Sequence, residues 1–159
     1  MTYSTAAPSS GRLNRFKAPR SRVWSAGLLT ALSLAVSGCG DEPISVSMVG
    51  YNHTDVGIYA FEVNGRGGPN IWPHEGGGSF TCCVTVPRVY KPGMTAKVRW
   101  LHRIDDVPQE RIVPVPPYRP EDVGLLTLHF LRDGSIKVFV TMTLLGHPAY
   151  PLKGDEARK

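Results

Sequence analysis

The feature that most constrains the fold is the alternation of apolar and polar side chains at every second residue. In residues 95–102 three apolar side chains alternate with Lys97 and Arg99 before the segment ends. Successive side chains of a β-strand point to opposite faces, so this period indicates a strand with one buried face. No long stretch carries the period of a helix. We therefore predict an all-β protein, with a single antiparallel β-sandwich-like domain over residues 44–152.

The same pattern divides this domain into short strands separated by turn residues. The predicted strands are residues 44–49, 56–63, 80–86, 95–102, 124–131 and 136–143. Asn64-Gly65 and Asp133-Gly134 are turn pairs typical of hairpins. Prolines are dense in residues 112–120. Since proline cannot donate to a central strand, this segment is predicted to be an edge strand or an extended cover.

The amino-terminal segment has the pattern of a secretion signal. Residues 1–22 carry five basic side chains and no acidic ones, and residues 23–36 are uncharged and rich in Leu and Ala. This apolar run is too short for a permanent membrane helix, which needs about 20 residues. The next four residues, Val36-Ser37-Gly38-Cys39, resemble the lipobox of bacterial lipoproteins. The resemblance implies a cleaved signal peptide over residues 1–38, diacylglycerol on the Cys39 thiol and a short tether over residues 39–43.

An ordinary secreted protein cut after Ser37, with Cys39 as a free or paired thiol, is the alternative. The resemblance to a lipobox instead implies that lipid anchors hold the chain to the cell envelope, facing the periplasm. Gly40 follows the cysteine. This resembles the pattern of lipoproteins sorted to the outer membrane, although Asp41 and Glu42 lie close by.

The net charge of +5 belongs to the predicted signal peptide. Five of the 18 Lys and Arg residues precede residue 39, whereas all 13 acidic residues follow it. The mature chain is therefore nearly neutral. A nucleic-acid-binding protein needs a basic face to neutralise phosphates. We therefore predict that the mature chain does not bind nucleic acid.

Residues 65–78 form a long segment with six glycines. A dinucleotide fingerprint would need Gly at Asn70, and the Lys of a phosphate-binding loop is missing. The zinc-protease motif that begins at His74-Glu75 would need a second His at Gly78, and Thr81 stands where a nucleophile elbow would close with Gly. Two interpretations stay open: a flexible or left-handed connection, and a partner-facing loop anchored by Trp72.

The adjacent Cys82 and Cys83 lie in a predicted strand. Strict alternation places Cys82 on the apolar face with Val84 and Val86, and Cys83 among threonines. Adjacent Cα atoms are closer than most disulfides require, so a bond between the two is expected to break the strand. The alternatives are a vicinal disulfide, Cys82 as a small buried hydrophobe, and a redox site.

No set of residues is predicted to catalyse a reaction. His102 and His129 are single histidines on strands, which favours a structural role over metal binding. His53, Asp55 and His74, with Glu75, are the densest polar cluster in predicted loops. No nucleophile, base and orienting group can be paired from motifs, so we predict no enzyme activity, no cofactor and no metal.

Several segments of the mature chain resemble the proteobacterial lipoproteins grouped as domain-of-unknown-function family 3304. The segments are Val49 to Thr54, Val63-Asn64-Gly65, Gly76-Gly77-Gly78 leading to Cys82-Cys83-Val84, Val98-Arg99-Trp100, Pro114 to Tyr118, His129-Phe130-Leu131 and His147 to Pro151. The paired cysteines after a glycine run are the most specific of them.

The resemblance implies a periplasmic immunity protein of the kind that protects a cell from lipase effectors of the type VI secretion system. Its partner would be a lipase-type toxin, and it would act by direct binding. Trp72, Tyr118 and Arg119 are the candidate contact residues. A structural or assembly lipoprotein of the envelope and a small-ligand-binding β-domain are the alternatives. The charged tail, residues 153–159, is predicted to be disordered.

Overall fold

Two four-stranded sheets face each other in the computed structural model, which describes residues 42–159. The strands are β1 (Pro43–Asn52), β2 (Ala60–Val63), β3 (Arg66–Gly68), β4 (Thr81–Pro87), β5 (Thr95–Leu101), β6 (Gln109–Pro114), β7 (Leu125–Phe130) and β8 (Ile136–Thr141). The first sheet has the order β4-β1-β7-β8 and the second has the order β3-β2-β5-β6. The predicted all-β, sandwich-like class is confirmed. The predicted signal peptide, Cys39 and the tether up to residue 41 lie outside the described residues.

The core fills the space between the sheets with the apolar side chains that the alternation predicts. Val46 and Met48 of β1 contribute to it, together with Val98 and Trp100 of β5. At one end of the core, Phe130 lies edge-on to Phe61, with ring centroids 6.2 Å apart. Burial of these side chains is the main favourable contribution to folding.

One pairing differs from the predicted antiparallel arrangement. β1 runs parallel to β7, with Tyr51 opposite His129 and Asn52 opposite Phe130, whereas the other strand pairs are antiparallel. Because β1 and β7 are the two inner strands of the first sheet, the sandwich is mixed. Inner parallel strands are usually covered on both faces, and β7 is buried along nearly its whole length.

The outer face of the first sheet is covered by the carboxy-terminal segment, residues 144–159. Tyr150 and Leu152 form a second, smaller apolar cluster with Leu131, and Phe139 of β8 packs against it. Gly154–Ala157 forms one short 3₁₀ helix. The Lys137 ammonium contacts the Glu156 carboxylate at 2.7 Å. In this structure residues 153–159, the tail predicted to be disordered, lie against the domain through this short helix and ion pair.

The turn predictions are confirmed where the backbone requires special conformations. Asn64 and Gly65 both have positive φ, 51° and 77°, and connect β2 to β3 as a two-residue hairpin loop. The predicted second strand is shorter than expected, because Ile58 leaves the sheet to pair with Ile71. That bridge ties the glycine-rich segment to the domain.

The paired cysteines form a vicinal disulfide within β4. The register with β1 shifts here: Val46 lies opposite Val84, but Met48 lies opposite Thr81, so Ser47 faces both cysteines. Such a bulge interrupts the alternation, and Cys82 is exposed while Cys83 is half-buried. The expectation that Cys82 lies on the buried face is wrong for this reason. The strand also continues through the bonded pair, which the sequence argument did not expect.

Candidate functional site

The most unusual feature of the domain is a chain of buried polar side chains at the end of β1 and β7. The two ring nitrogens of His53 lie 2.7 Å from the Arg158 carbonyl oxygen and 2.9 Å from Nδ1 of His129. On the other side of His129, Nε2 lies 2.6 Å from the Tyr150 hydroxyl. That hydroxyl is also 2.7 Å from Oγ1 of Thr127. The parallel pairing of β1 with β7 places Tyr51 beside His129, and their rings stack with centroids 4.6 Å apart.

The acceptor at one end fixes the direction of the hydrogen bonds. A carbonyl oxygen only accepts, so Nδ1 of His53 donates to Arg158. In the neutral rings, Nε2 of His53 then accepts from Nδ1 of His129. The Tyr150 hydroxyl lies within hydrogen-bond distance of Nε2 of His129 and donates to Oγ1 of Thr127. Each imidazole nitrogen thus has a partner inside the protein, which confirms the structural role predicted for His129. His102 likewise places Nδ1 3.0 Å from the Gly57 carbonyl oxygen.

Burial holds both histidines in the neutral form. Burial, and to a smaller extent the neighbouring His53 and Lys137, lower the pKa of His129 to about 3. Burial also lowers the pKa of His53, although its bond to the Arg158 carbonyl opposes this effect. The positive charges of Arg132 and Lys159 and the ring of His74 also act to lower the pKa of His53. Burial raises the pKa of the Tyr150 hydroxyl well above its usual value.

The carboxy-terminal segment closes over this chain. Arg132 donates from Nη2 to the carbonyl oxygens of Asp155 and Arg158, at 2.6 and 3.2 Å. Lys159 donates to the Gly76 carbonyl oxygen at 3.1 Å. The segment therefore connects His53 to the glycine-rich loop, and it shields the histidines from solvent.

The glycine-rich segment adopts the left-handed conformation that one interpretation of its sequence predicted. His74, Gly76 and Gly77 have positive φ values of 56°, 128° and 85°. A side chain at Gly76 would collide with the Gly50 carbonyl oxygen. These glycines let the loop lie directly against the end of β1, where the Glu75 carbonyl accepts from the Asn52 amide at 2.8 Å.

A cleft of about 320 Å³ lies beside this loop. It is lined by Gly50, Pro69, Asn70, Ile71, His74, Glu75, Gly76, Gly77, Gly78, Ser79 and Lys159. At its rim, Nε2 of His74 lies 2.8 Å from the exposed Asp55 carboxylate. The polar cluster predicted from the sequence is thus divided: His74 and Asp55 are paired at the surface, whereas His53 points into the buried chain. Among residues 42–159, no group of three or more His, Cys, Asp and Glu side chains is placed to hold a metal ion.

Three loops meet at this end of the sandwich, and we call residues 53–59, 69–75 and 102–108 together the loop end. The Tyr59 amide donates to the Leu101 carbonyl oxygen at 2.8 Å, and Ile58 pairs with Ile71. Trp72 is 65% exposed. It shares with Tyr59 a small cavity of about 100 Å³. The loop end therefore presents aromatic side chains on a backbone held by hydrogen bonds.

A family model described as "Protein of unknown function (DUF3304)" matches residues 51–138, more than half of the chain. The chain belongs to this family. This match confirms the resemblance to family 3304 that the sequence segments indicated. Neither a curated protein nor a solved structure matches the chain. The matched residues of the DUF3304 domain include His53, Trp72 and His129, whereas Tyr150 and the carboxy-terminal segment follow them.

The predicted contact residues of the DUF3304 domain do not lie together. Trp72 belongs to the loop end and is accessible. Tyr118 is in the core, where its hydroxyl donates to the Pro87 carbonyl oxygen at 2.7 Å, so the prediction that it is a surface contact is wrong. Arg119 is exposed, but its guanidinium is paired with Asp122 at 3.0 Å and with Glu121 at 3.2 Å.

Sequence reasoning missed the polar chain because its members come from distant segments. Tyr51, His53, His129 and Tyr150 all occur in the short segments that carry the family resemblance, which was the only signal in the sequence. No spacing rule connects a histidine after one strand to a tyrosine about a hundred residues later.

Within the described part of the DUF3304 chain, no helix is long and apolar enough to cross a membrane.

Proposed function

We propose that this DUF3304 protein is a non-catalytic lipoprotein of the cell envelope that neutralises an antibacterial phospholipase by binding it. Its lipid-modified Cys39 would hold it to a membrane facing the periplasm, with the outer membrane as the expected location. The toxin would be an effector of a type VI secretion system. Immunity would result from occupation of the enzyme, with no reaction carried out by this chain.

The observation that carries the proposal is the exposed Trp72 on a fixed loop. Large aromatic side chains are enriched among residues that dominate the binding free energy of protein interfaces. A rigid loop also loses little conformational entropy when it binds. The Ile58–Ile71 pairing and the hydrogen bonds of Asn52 to the Val56 and Trp72 carbonyl oxygens supply that rigidity.

A lipid anchor adds to this function for a physical reason. A toxin that attacks phospholipid must come to the membrane surface. An inhibitor confined to the same surface meets it at a raised effective concentration. Loss of the anchor is therefore expected to weaken protection without weakening the binding itself.

Co-expression of candidate phospholipase effectors in the periplasm tests the proposal. We expect the full chain to restore growth against at least one effector and Cys39→Ser to restore it less well at equal protein levels. Labelling with a radioactive fatty acid should mark the wild type but not Cys39→Ser. If cells die equally with and without this chain for every effector, the immunity function is wrong.

A second candidate, the binding of a small apolar ligand, is favoured by one cleft. It has a volume of about 310 Å³, near the lower limit of ligand sites, and its walls include Ile58, Trp100, Phe130 and Ile136. Titration of the purified chain with short alkyl alcohols, followed by Trp fluorescence, tests this function. Saturable binding that is lost in Ile136→Ala would support it, and a linear response would exclude it.

A further inference from the structure

Half of the ten exposed large apolar side chains of the described residues lie at one end of the sandwich. Five of them belong to the loop end: Val56, Tyr59, Trp72, Ile104 and Val107. Val107 is the most exposed, at 86%. Exposed apolar groups that gather on one surface are typical of an interaction site.

Strand pairing places the three loops at the same end. Ala60 at the start of β2 lies opposite Leu101 at the end of β5, so the loops before and after them are neighbours. His102 at the start of the third loop bonds the Gly57 carbonyl oxygen in the first at 3.0 Å. By contrast, Val89 follows β4 at the other end, where Pro87 lies opposite Pro43.

Acidic side chains outnumber basic ones in the same loops. The loop end contains four acidic residues, Asp55, Glu75, Asp105 and Asp106, and one basic residue, Arg103. Arg103 is paired with Asp105 at 3.3 Å. The adjoining carboxy-terminal segment adds charges of both signs. The surface of the loop end is thus apolar and net negative.

This combination disfavours a membrane as the binding partner. Anionic lipids attract Lys and Arg and repel carboxylates, so the net negative charge of the loop end opposes the insertion of Trp72 and Val107 into such a bilayer. It favours a protein with an apolar cleft bordered by basic side chains, since interfaces pair opposite potentials. An enzyme that accepts an anionic phospholipid needs a cleft of this kind.

We propose that the loop end enters the acyl-binding cleft of the phospholipase and excludes the substrate from it, an inference that rests on the proposed function. The apolar side chains of the loop end take the place of the lipid tails. Its carboxylates face the basic residues that would attract the lipid headgroup. The DUF3304 protein is then a competitive inhibitor and not one that acts at a distance from the cleft.

Inhibition kinetics test this inference with a purified effector against which the chain protects cells. The inhibitor is the full chain carrying Cys39→Ser, and the substrate is a short-chain phosphatidylglycerol that stays monomeric in solution. We expect the apparent KM to rise with inhibitor concentration while kcat stays constant. Trp72→Ala and Val107→Ala should each raise the inhibition constant about tenfold or more. Unchanged KM with a falling kcat would overturn the inference.

Matched substitutions elsewhere on the surface are the controls. Val89→Ala and Ile112→Ala remove apolar groups that are 41% and 65% exposed, away from the loop end. We expect each to change the inhibition constant less than about twofold. Equal losses from Val89→Ala and Val107→Ala would contradict the assignment of the loop end. Thermal melting of each variant establishes that it is folded.

Two further outcomes separate the possible failures. If the wild type protects cells but Trp72→Ala and Val107→Ala inhibit as well as it does, the proposed function stands and the loop-end inference is wrong. If the Cys39→Ser chain binds vesicles of phosphatidylglycerol without effector, and Trp72→Ala abolishes that binding, the loop end is a membrane surface and the inference also fails.

Discussion

Individual side chains of the buried polar chain connect segments of the domain that are far apart in sequence. Tyr150 is the connecting residue, because its hydroxyl contacts both His129 and Thr127. Replacing it by Phe leaves the ring in place but removes a partner from each of two buried groups. An unsatisfied buried polar group costs about 1–3 kcal/mol.

We therefore predict that Tyr150→Phe lowers the free energy of unfolding by about 1–3 kcal/mol. Urea unfolding followed by circular dichroism measures this change. Tyr59→Phe is the matched control, since Tyr59 is a partly exposed tyrosine of the loop end. A loss of equal size in both variants would mean that the buried chain contributes no special stability.

The glycine run supplies a second prediction for single residues. Gly76 has φ of 128° and lies against the Gly50 backbone, whereas Gly78 has open space around it. Gly76→Ala should destabilise the domain by about 2 kcal/mol or more, because strain and collision act together. Gly78→Ala should change stability by less than about 0.5 kcal/mol. Melting temperatures of the two variants give the comparison, and equal melting temperatures would contradict it.

The strands show how far sequence alone leads at the level of elements. The bounds of β5, β7 and β8 were predicted to within one or two residues. Their apolar side chains recur as expected for a half-buried strand or for a strand in the core. The short β3 was missed, since Arg66–Gly68 carries no apolar pattern and is held only through the Asn64-Gly65 turn. Alternation also cannot reveal a bulge, which is why the side of Cys82 was predicted wrongly.

The carboxy-terminal segment differs most from what its sequence indicates, and the physical reason is general. Charge and turn residues in 153–159 predict disorder because they offer little apolar surface. The segment is instead fixed at its start by Tyr150 and Leu152, and at its end by backbone carbonyls that bond to His53 and Arg132. Backbone acceptors are independent of the side-chain sequence, so no pattern reports them.

Deletion of residues 153–159 tests the role of this segment. We predict that the pKa of His53 rises toward its usual value, because exposure to water outweighs the loss of the bond to the Arg158 carbonyl. An NMR titration of the imidazole protons measures the pKa directly. Lys153→Ala in the full chain should leave it unchanged, since that side chain bonds only the Pro148 carbonyl. A pKa of His53 that is equal with and without the segment would exclude this shielding role.

At the scale of the whole molecule, the two neutral histidines make folding sensitive to acid. In the unfolded chain a histidine binds a proton near pH 6.5, but in the folded domain the pKa of His129 is about 3 and that of His53 is also lowered. Between these values the unfolded state binds more protons than the folded state. Stability is therefore complete above about pH 6.5 and is lost as the pH falls toward 3.

We predict a loss of about 1.4 kcal/mol per pH unit for each histidine that stays neutral in the folded domain. Protonation of His53 would also place a hydrogen on Nε2, so Nδ1 of His129 would have to accept where it now donates. Urea unfolding from pH 7 to pH 4.5 measures the slope for the wild type and for His129→Gln. The slope should be smaller in His129→Gln and unchanged in His147→Gln, a substitution on the exposed surface. A wild-type stability that stays constant across this range would mean that the buried histidines take up protons without unfolding, and the closed arrangement of the carboxy-terminal segment would then be wrong.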